Sequence, residues 1–275
     1  MSDRFLVLRC PSWPAVALGR EPEVTLAVVE KGRILAATPA ALAAGVSVGQ
    51  RRREAAWSCP LLTFVPRDEG EERRTFTPAL RTLEIFGAAI TVRRPGWAWI
   101  ATRGPARYFG GEEAFATAVA EALRTLGGEW AGGEGLLGGC FRIGVGDGVF
   151  VATQAAGRGI VVPHEETVTF LQPLPVERLD RPDLVPVLRN LGITTLGSFA
   201  ALEESDVLAR FGWDGHRAHQ IARGEEAIGA VVVRSRDVDA EFATEIDPPA
   251  VLVDEVVLVA RSLAEDLCAR IRAEG

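Results

Sequence analysis

One segment of the sequence combines residue types that can receive a phosphate group. Residues 188–196, LRNLGITTL, place a glycine between two apolar stretches, and apolar residues at 199 and 202 continue the second stretch. Two helices joined by a tight hairpin present backbone N–H groups and a positive helix end to an anion. Such a contact is made with the nucleic-acid backbone and does not depend on base sequence. The residues predicted to make it are Gly192, Ile193, Thr194 and Thr195.

A second stretch, residues 207–224, repeats the order of helix, glycine turn and helix. Gly212, Gly215 and Arg217 are the residues predicted to contact a phosphate there. A plain pair of antiparallel helices, with Gly192 ending the first of them, would give the same pattern. The pattern favours nucleic-acid binding but leaves both interpretations open.

Other chemistries have weaker support in the sequence. Residues 144–148, GVGDG, resemble a dinucleotide-binding turn, but Val149 occupies the third glycine position and no G-K-[ST] sequence is present. Asp147 is interpreted more simply as the N-cap of a helix. The histidines share no spacing with a nucleophile, and His216 and His219 fit an exposed pair on one helix better than a metal site. We therefore expect no cofactor and no metal.

The elements that would position these groups alternate between strands and helices, which indicates an α+β chain. Short apolar or alternating runs predict strands over residues 4–8, 24–29, 33–37, 89–92, 97–101, 141–145 and 231–244. Apolar residues at helical spacing predict helices over 40–46, 50–56, 71–86, 112–126, 149–156 and 249–272, and short helices within 176–228. Residues 127–139 predict a glycine-rich loop, and residues 163–175 predict a linker between domains.

Composition and charge limit the class of protein. With 275 residues, 48% hydrophobic and 24% charged, the chain is globular and can form one large domain or several smaller ones. Its net charge of −7 is uneven, because residues 1–111 carry 16 Lys and Arg against 10 Asp and Glu. Four separated cysteines predict reduced thiols in a cytoplasmic protein. The sequence contains no apolar stretch of the length that a membrane span needs, and its start does not fit a signal peptide.

Four segments taken together are specific to one family. They are AATPAALAAGV at 36–46 with Cys59-Pro60 downstream, RYFGGE at 107–112, FLQPLPVERL at 170–179 and LGITTLGSFAAL at 191–202. On these segments the chain resembles the Y-family, damage-bypass DNA polymerases, and within them the catalytically degenerate ImuB-like members. The resemblance covers the whole chain.

The resemblance implies a multidomain α+β fold. It would contain a polymerase-like palm with an antiparallel sheet and helices, a small fingers insertion, an all-α helix-hairpin-helix thumb and the start of an α/β little finger. The implied boundaries are 1–13 and 67–165 for the palm, 14–66 for the fingers, 166–229 for the thumb and 230–275 for the partial little finger. The rest of that last domain would lie beyond residue 275.

The acids that hold metal in active members of this family are missing here. A family strand reading like VDMDAFYASVE falls on residues 7–17, so Leu8 and Cys10 stand at its two aspartates. A family hairpin reading like SIDEAFLD falls on residues 94–101, so Gly96 and Trp97 stand at the catalytic Asp and Glu. Phosphoryl transfer by two metal ions requires converging carboxylates, so the resemblance implies a palm without catalysis.

A shift in register does not restore these acids, because residues 4–20 and 85–111 contain no Asp or Glu. The Tyr and Arg with which the family grips a nucleotide fall on Pro39 and Leu42, which can donate nothing to a triphosphate. The nucleotide site is therefore expected to be degenerate as well.

The function implied by the resemblance is a non-catalytic scaffold in error-prone translesion synthesis during the SOS response of a bacterium, associated with the nucleoid when bound to DNA. Its expected partners are primer-template DNA, bound weakly, and an error-prone C-family DNA polymerase, a RecA-like accessory protein and the β sliding clamp. Most protein contacts would lie beyond residue 275. One alternative is a divergent, active polymerase that uses acids such as Asp3 or Glu84, and another is a helix-hairpin-helix adaptor unrelated to polymerases.

Overall fold

The structure is a computed structural model that describes residues 3–18, 24–87, 89–130, 140–225, 233–235, 259–262 and 264. The chain forms two compact units, Met1–Arg234 and Ser235–Gly275. In the described part of the chain, no helix has both the length and the apolar character needed to cross a membrane.

The described strands, in chain order, are β1 (Arg4–Arg9), β2 (Leu26–Glu30), β3 (Arg33–Ala37), β4 (Thr63–Pro66), β5 (Ala89–Arg94), β6 (Trp97–Ala101), β7 (Arg142–Asp147) and β8 (Val233–Ser235). The helices are α1 (Trp13–Val16), α2 (Pro39–Ala43), α3 (Arg52–Ser58), α4 (Glu69–Phe86), α5 (Pro105–Phe109), α6 (Glu112–Trp130), α7 (Gly148–Ala156), α8 (Thr167–Leu171), α9 (Leu184–Asn190), α10 (Leu196–Ala200) and α11 (Glu204–Ala222).

The larger sheet has the strand order β7-β1-β6-β5-β8. Strand β1 lies between β6 and β7 and is antiparallel to both, so that Val7 faces Trp99 on one side and Gly144 on the other. The continuous apolar run of β1 is explained by burial on both faces of the sheet. Strands β5 and β6 form the predicted hairpin, with its turn at Pro95 and Gly96.

Helices α4 and α6 cover one face of this sheet. The N-cap of α4 is Asp68, whose side chain accepts a hydrogen bond from the Glu71 amide at 2.9 Å, as is favourable at a helix start. The apolar core between the sheet and the helices includes Leu6, Leu8, Ile100, Phe76, Leu83, Phe115 and Val119. The even-numbered side chains of β1 therefore point into this core.

Helix α7 covers part of the other face, where the odd-numbered side chains of β1 point. Phe5 and Val7 pack there with Trp99 and Ala152. A Cβ atom added at Gly144 would lie 1.9 Å from the backbone nitrogen of Ala156. Glycine at this position is what allows α7 to approach β7 so closely.

A smaller sheet, with the order β3-β2-β4, is inserted between β1 and α4 in the sequence. Strand β2 is antiparallel to β3 and parallel to β4. Lys31 and Gly32 turn the first pair with φ values of 49° and 75°, the conformation that a two-residue hairpin favours. Its core includes Ala27, Ile34, Ala41, Ala55 and Leu62.

Residues 164–224 form a compact helical part, whose core includes Leu171, Leu174, Leu188, Leu196, Phe199 and Val207. The same core continues into α7 through Val151 and Ala155. The prediction of a linker over residues 163–175 is wrong. That segment holds a 3₁₀ turn and α8, and Leu171 is fully buried. Its prolines and threonines are compatible with short helices, and buried leucines fix those helices in place.

The predicted α+β class is confirmed, and the longer elements begin and end within a few residues of their predicted limits. The short elements α1, α5 and β4 were missed, because four or five residues carry too little periodicity. Of the predicted strand over 231–244 only Val233–Ser235 falls within the described residues, and of the predicted helix over 249–272 only 259–262 and 264. The division into palm, fingers, thumb and partial little finger stays a prediction.

Candidate nucleic-acid interface

Leu8 of β1 and Cys10, one residue beyond that strand, are the positions at which the resemblance implies aspartates, and both are built into the core of the larger sheet. Leu8 is fully buried and Cys10 is 5% exposed, and both belong to the cluster under α4 and α6. Leu8 lies opposite Ala98 of β6, and the Cys10 amide donates to the carbonyl of Gly96 at 2.8 Å. A carboxylate at either position would have to enter an apolar core, which is unfavourable for a charged group.

Gly96 forms the turn of the β5–β6 hairpin at a positive φ of 79°. A Cβ atom added there would lie 2.3 Å from Cβ of Trp13 and 2.5 Å from its Cγ. Trp13 is held firmly, because its Nε1 donates to the carbonyl of Glu72 at 3.0 Å and its ring stacks on Phe141. A side chain at residue 96, where the resemblance implies an aspartate, would therefore collide with Trp13 of α1.

Trp97 lies opposite Arg9 across the β1–β6 pair, and a β-bulge shifts the register of β5 between Val92 and Arg94. The bulge sets two consecutive residues, Arg93 and Arg94, against one tryptophan. The Cζ atoms of Arg9, Arg93 and Arg94 lie 5.1, 4.8 and 5.5 Å from the centroid of the Trp97 ring. Each distance is within cation–π range. We call these four residues the Trp97–arginine cluster.

The donors of this cluster are incompletely satisfied. Arg9 Nε and Trp97 Nε1 are buried without a hydrogen-bond partner among the described residues. Burial lowers the pKa of Arg9, and the positive charges of Arg94 and Arg178 lower it further, against a smaller opposing effect of Asp180. Positive charge thus accumulates around Trp97, on the face of the sheet opposite to Leu8 and Cys10. The sequence does show these arginines, but only the register brings them to one ring.

Neither alternative acid lies in a metal-binding arrangement. Asp3 precedes β1 and its carbonyl accepts from the Gly148 amide, while Glu84 lies on α4. Within the part of the chain that is described, no group of three His, Cys, Asp or Glu side chains is close enough to hold a metal ion.

The first predicted hairpin joins α9 to α10. Gly192 ends α9 at a φ of 79°, and its amide and that of Ile193 donate to the carbonyls of Arg189 and Leu188. These two bonds form a Schellman motif. Thr195 is the N-cap of α10 and exchanges hydrogen bonds with Ser198 in a capping box.

Most amides of this hairpin already have acceptors within the chain. The amides of Leu196 and Gly197 donate to the carbonyls of Leu174 and Gln172. The Thr195 amide donates to Ser198 Oγ. In the described residues, the amide of Thr194 donates no hydrogen bond. Of the four residues predicted to bind phosphate here, Thr194 is the one whose backbone N–H remains available.

The second predicted hairpin is a kink at Gly212 within α11, where φ is 65° and ψ is −164°. Gly215 is buried, and a Cβ atom there would lie 2.2 Å from Cβ of Phe211. Arg217 is exposed in the next turn, beyond the exposed Trp213. The structure therefore brings an arginine and an aromatic side chain to one exposed helical turn, while the role of Gly215 is packing.

The predicted exposed histidine pair is wrong, because the His216 side chain is itself only 12% exposed. His216 reaches Glu204, with 2.5 Å between Nε2 and Oε1, but His219 is only 1% exposed and packs edge-on against Phe199. The reason is the kink at Gly212, which turns His219 toward the helical core. Pro39 and Leu42, the degenerate nucleotide positions, lie on α2 and are both exposed.

An ionic network that the sequence did not reveal joins the start of β1 to α6, β7 and α8. Arg4 binds Glu112 through Nε at 2.8 Å and Asp147 through Nη1 at 2.9 Å. Asp147 also accepts from Thr167 at 2.7 Å and lies 2.6 Å from Nδ1 of His164. Asp147 is the N-cap residue of α7, as predicted, but its side chain caps no amide. Its carboxylate instead serves the tertiary network.

Burial of Asp147 tends to raise its pKa, but the hydrogen bonds from Thr167, His164 and Arg4 outweigh burial, and the pKa lies below its ordinary value. The pKa of Glu112 is lowered in the same way, since Arg4 and Thr102 overcome the effect of burial. Both carboxylates are therefore ionised and structural, at the far end of β1 from the Trp97–arginine cluster.

Part of the sequence and the fold match known proteins. Residues 14–128 match the impB/mucB/samB (IMS) family. Over 82% of this chain and 68% of the other, the fold superposes on DinB from Sulfolobus solfataricus with a TM-score of 0.66 at 15% identity. It also superposes on the insertion ternary complex of Dbh DNA polymerase with a TM-score of 0.63 at 17% identity, over 82% and 69%. The fold is that of a DNA polymerase.

Two curated proteins with similar sequences are both DNA polymerase IV. The chain is 27% identical to DNA polymerase IV of Moorella thermoacetica over 272 residues, which are 95% of this chain and 64% of that protein. It is also 27% identical to DNA polymerase IV of Alkaliphilus oremlandii, over 69% and 48%. The chain thus spans less than two thirds of the length of these relatives. Its fold and part of its sequence are similar to those of DNA polymerases.

Proposed function

We propose that this chain is a non-catalytic, ImuB-like member of the Y family that holds primer-template DNA and recruits other proteins during error-prone translesion synthesis. The proposal rests on the residue types and burial at the palm positions where an active member of the family would bind metal. Leu8 and Cys10 are buried in the core, and Gly96 and Trp97 offer no carboxylate. Arginines surround Trp97 where divalent cations would need acids.

The electrostatics of this arrangement support a scaffold over an enzyme. Two metal ions held about 4 Å apart need several negative ligands. The guanidinium groups of Arg9 and Arg94 would instead repel a cation at this place. Fold does not dictate activity, and the site decides it.

The helical part supplies the second element of the proposal. Thr194 retains a backbone donor, and Arg217 and Trp213 are exposed on one turn of α11. Such groups can hold a nucleic-acid backbone without reading its sequence. The proposed protein partners follow from the family resemblance alone: an error-prone C-family polymerase, a RecA-like accessory protein and the β sliding clamp, recruited in the SOS response.

Primer extension tests the catalytic half of the proposal. We expect no incorporation above a no-protein control with Mg²⁺ or Mn²⁺, under conditions in which an active Y-family polymerase extends the same primer. Incorporation by this protein would overturn the proposal and favour a divergent polymerase. Anisotropy of labelled primer-template DNA, titrated at several salt concentrations, tests the binding half, and a flat titration would leave protein recruitment as the remaining role.

A further inference from the structure

Three arginines converge on one indole ring without an acidic partner. Within the described part of the chain, Arg9, Arg93 and Arg94 take part in no ion pair. Each Cζ atom lies within 5.5 Å of the Trp97 centroid, so any two of them are separated by less than twice that distance. Like charges at such separations repel, and an anion between them would relieve the repulsion.

The cluster is open to a ligand on one side. Arg93 and Arg94 are exposed, whereas Arg9 is half-buried and fixed by its place at the end of β1. The unpartnered Arg9 Nε and Trp97 Nε1 are buried donors in the same place. Arg178, at the 3₁₀ turn that leads into the helical part, is exposed and close enough to lower the pKa of Arg9. Asp180 is the acidic group that faces Arg9.

We propose that the Trp97–arginine cluster binds phosphate groups of the nucleic-acid backbone directly, without a metal ion. The inference deepens the proposed scaffold function and rests on it. Guanidinium groups present planar forks of donors that match phosphate oxygens. Successive phosphates can contact Arg93 and Arg94, whereas an isolated carboxylate would satisfy one of them. The cluster thereby supplies fixed positive charge to the nucleic-acid backbone without divalent cations.

The Trp97–arginine cluster depends on the β-bulge in β5. Because β5 slips between Val92 and Arg94, Arg93 is not carried to the far face of the hairpin by strict alternation. Both of its neighbours in the cluster, Arg9 and Arg94, are opposite Trp97 by strand pairing. The preorganised cations would need little further ordering when a phosphate arrives.

Anisotropy of labelled primer-template DNA in buffer with EDTA tests the inference. The double variant Arg93→Gln/Arg94→Gln should bind at least about fivefold more weakly. The slope of log affinity against log salt concentration should be smaller by about 1 for each phosphate group that the variant no longer neutralises.

Arg73→Gln/Arg81→Gln is the matched control, since it removes the same charge from exposed positions of α4, on the opposite side of the sheet. Arg93→Lys/Arg94→Lys, which keeps the charge but removes the fork, should fall between them. The thermal unfolding midpoint of each variant verifies its fold.

A second probe separates this inference from the proposed function. Inorganic tripolyphosphate should change the tryptophan fluorescence of the wild-type protein in EDTA, and the change should be absent in Trp97→Phe. If wild-type protein binds DNA and the cluster variant binds it equally well, the inference is overturned and the scaffold function stands. If DNA does not bind but tripolyphosphate does, the DNA-binding part of the proposed function fails and the phosphate site remains.

Two further outcomes count against the cluster as a metal-free phosphate site. Loss of wild-type DNA binding on addition of EDTA would show that a cation mediates the contact. Competition by poly-glutamate at the same charge concentration as DNA would show that carboxylates suffice, and would reassign the site to an acidic protein segment.

Discussion

Arg9 and Trp97 face each other across β1 and β6, with the guanidinium carbon 5.1 Å from the centre of the indole ring. The same pair of strands carries Leu8 and Cys10, whose side chains point to the opposite face and into the core. The strand alternation therefore separates two roles. One face of β1 packs under α4 and α6. On the other face Phe5 and Val7 pack against α7, and Arg9 at the end of the strand presents positive charge.

Restoring an aspartate at Gly96 should not restore a metal site. The backbone there has a φ of 79°, and Cβ would lie 2.3 Å from Cβ of Trp13. We expect Gly96→Asp to destabilise the fold by about 2–4 kcal/mol through strain and overpacking. Denaturant unfolding measures this loss, and the reference variant Gly104→Ala has no atom near the added Cβ. A stable Gly96→Asp protein that incorporates nucleotides would contradict the closed site.

Gly144→Ala should affect the contact between β7 and α7. Its Cβ would lie 1.9 Å from the backbone nitrogen of Ala156, so α7 would have to move away. The expected result is a loss of about 3 kcal/mol or more, at the upper end of overpacking costs, or failure to fold. Far-UV circular dichroism and thermal unfolding measure the change, with Gly104→Ala again as reference. Normal stability would show that α7 does not pack as described.

The Arg4 network should make the protein sensitive to acid. Hydrogen bonds lower the pKa of Asp147 and Glu112 in the folded state. Their stabilisation is complete above the pKa of the unfolded carboxyls, about 4, and is lost as pH falls through the lower folded values. Thermal unfolding midpoints measured against pH should therefore drop below about pH 4.

Asp147→Asn removes one partner of this network. Because Asp147 is nearly fully buried and Arg4 is largely buried, we expect a loss of about 2–4 kcal/mol at neutral pH. The variant should also lose part of the acid dependence seen in the wild-type protein. An Asp147→Asn protein with an unchanged pH profile would assign the acid sensitivity to other carboxylates.

The kink at Gly212 offers a test that involves backbone conformation alone. Its φ of 65° and ψ of −164° lie in a region that glycine adopts almost exclusively, and no atom lies within 4 Å of an added Cβ. Gly212→Ala should cost about 1–3 kcal/mol and weaken DNA binding if the turn carrying Trp213 and Arg217 touches the backbone. If DNA affinity falls only as far as the loss of stability explains, and its dependence on salt concentration is unchanged, the DNA contact lies elsewhere.

The amino-acid sequence was sufficient to predict the α+β class, the long elements, the hairpin at Pro95 and Gly96, and the absence of acids from β1 and from the β5–β6 hairpin. These features follow from local periodicity, turn chemistry and the identity of single residues. The prediction for residues 163–175 is wrong because short buried helices are stabilised by tertiary contacts and not by propensity.

The tertiary structure decides which residues that are distant in the sequence come into contact. Strand register and one bulge bring Arg9, Arg93 and Arg94 to Trp97, and chain folding carries Asp147 to Arg4 instead of to its own helix. Residue spacing predicts neither arrangement, since a shift of one residue in strand pairing would turn each side chain to the opposite face. The absence of Asp and Glu from β1 and the β5–β6 hairpin is visible in the sequence, whereas the positive charge around Trp97 arises from strand pairing.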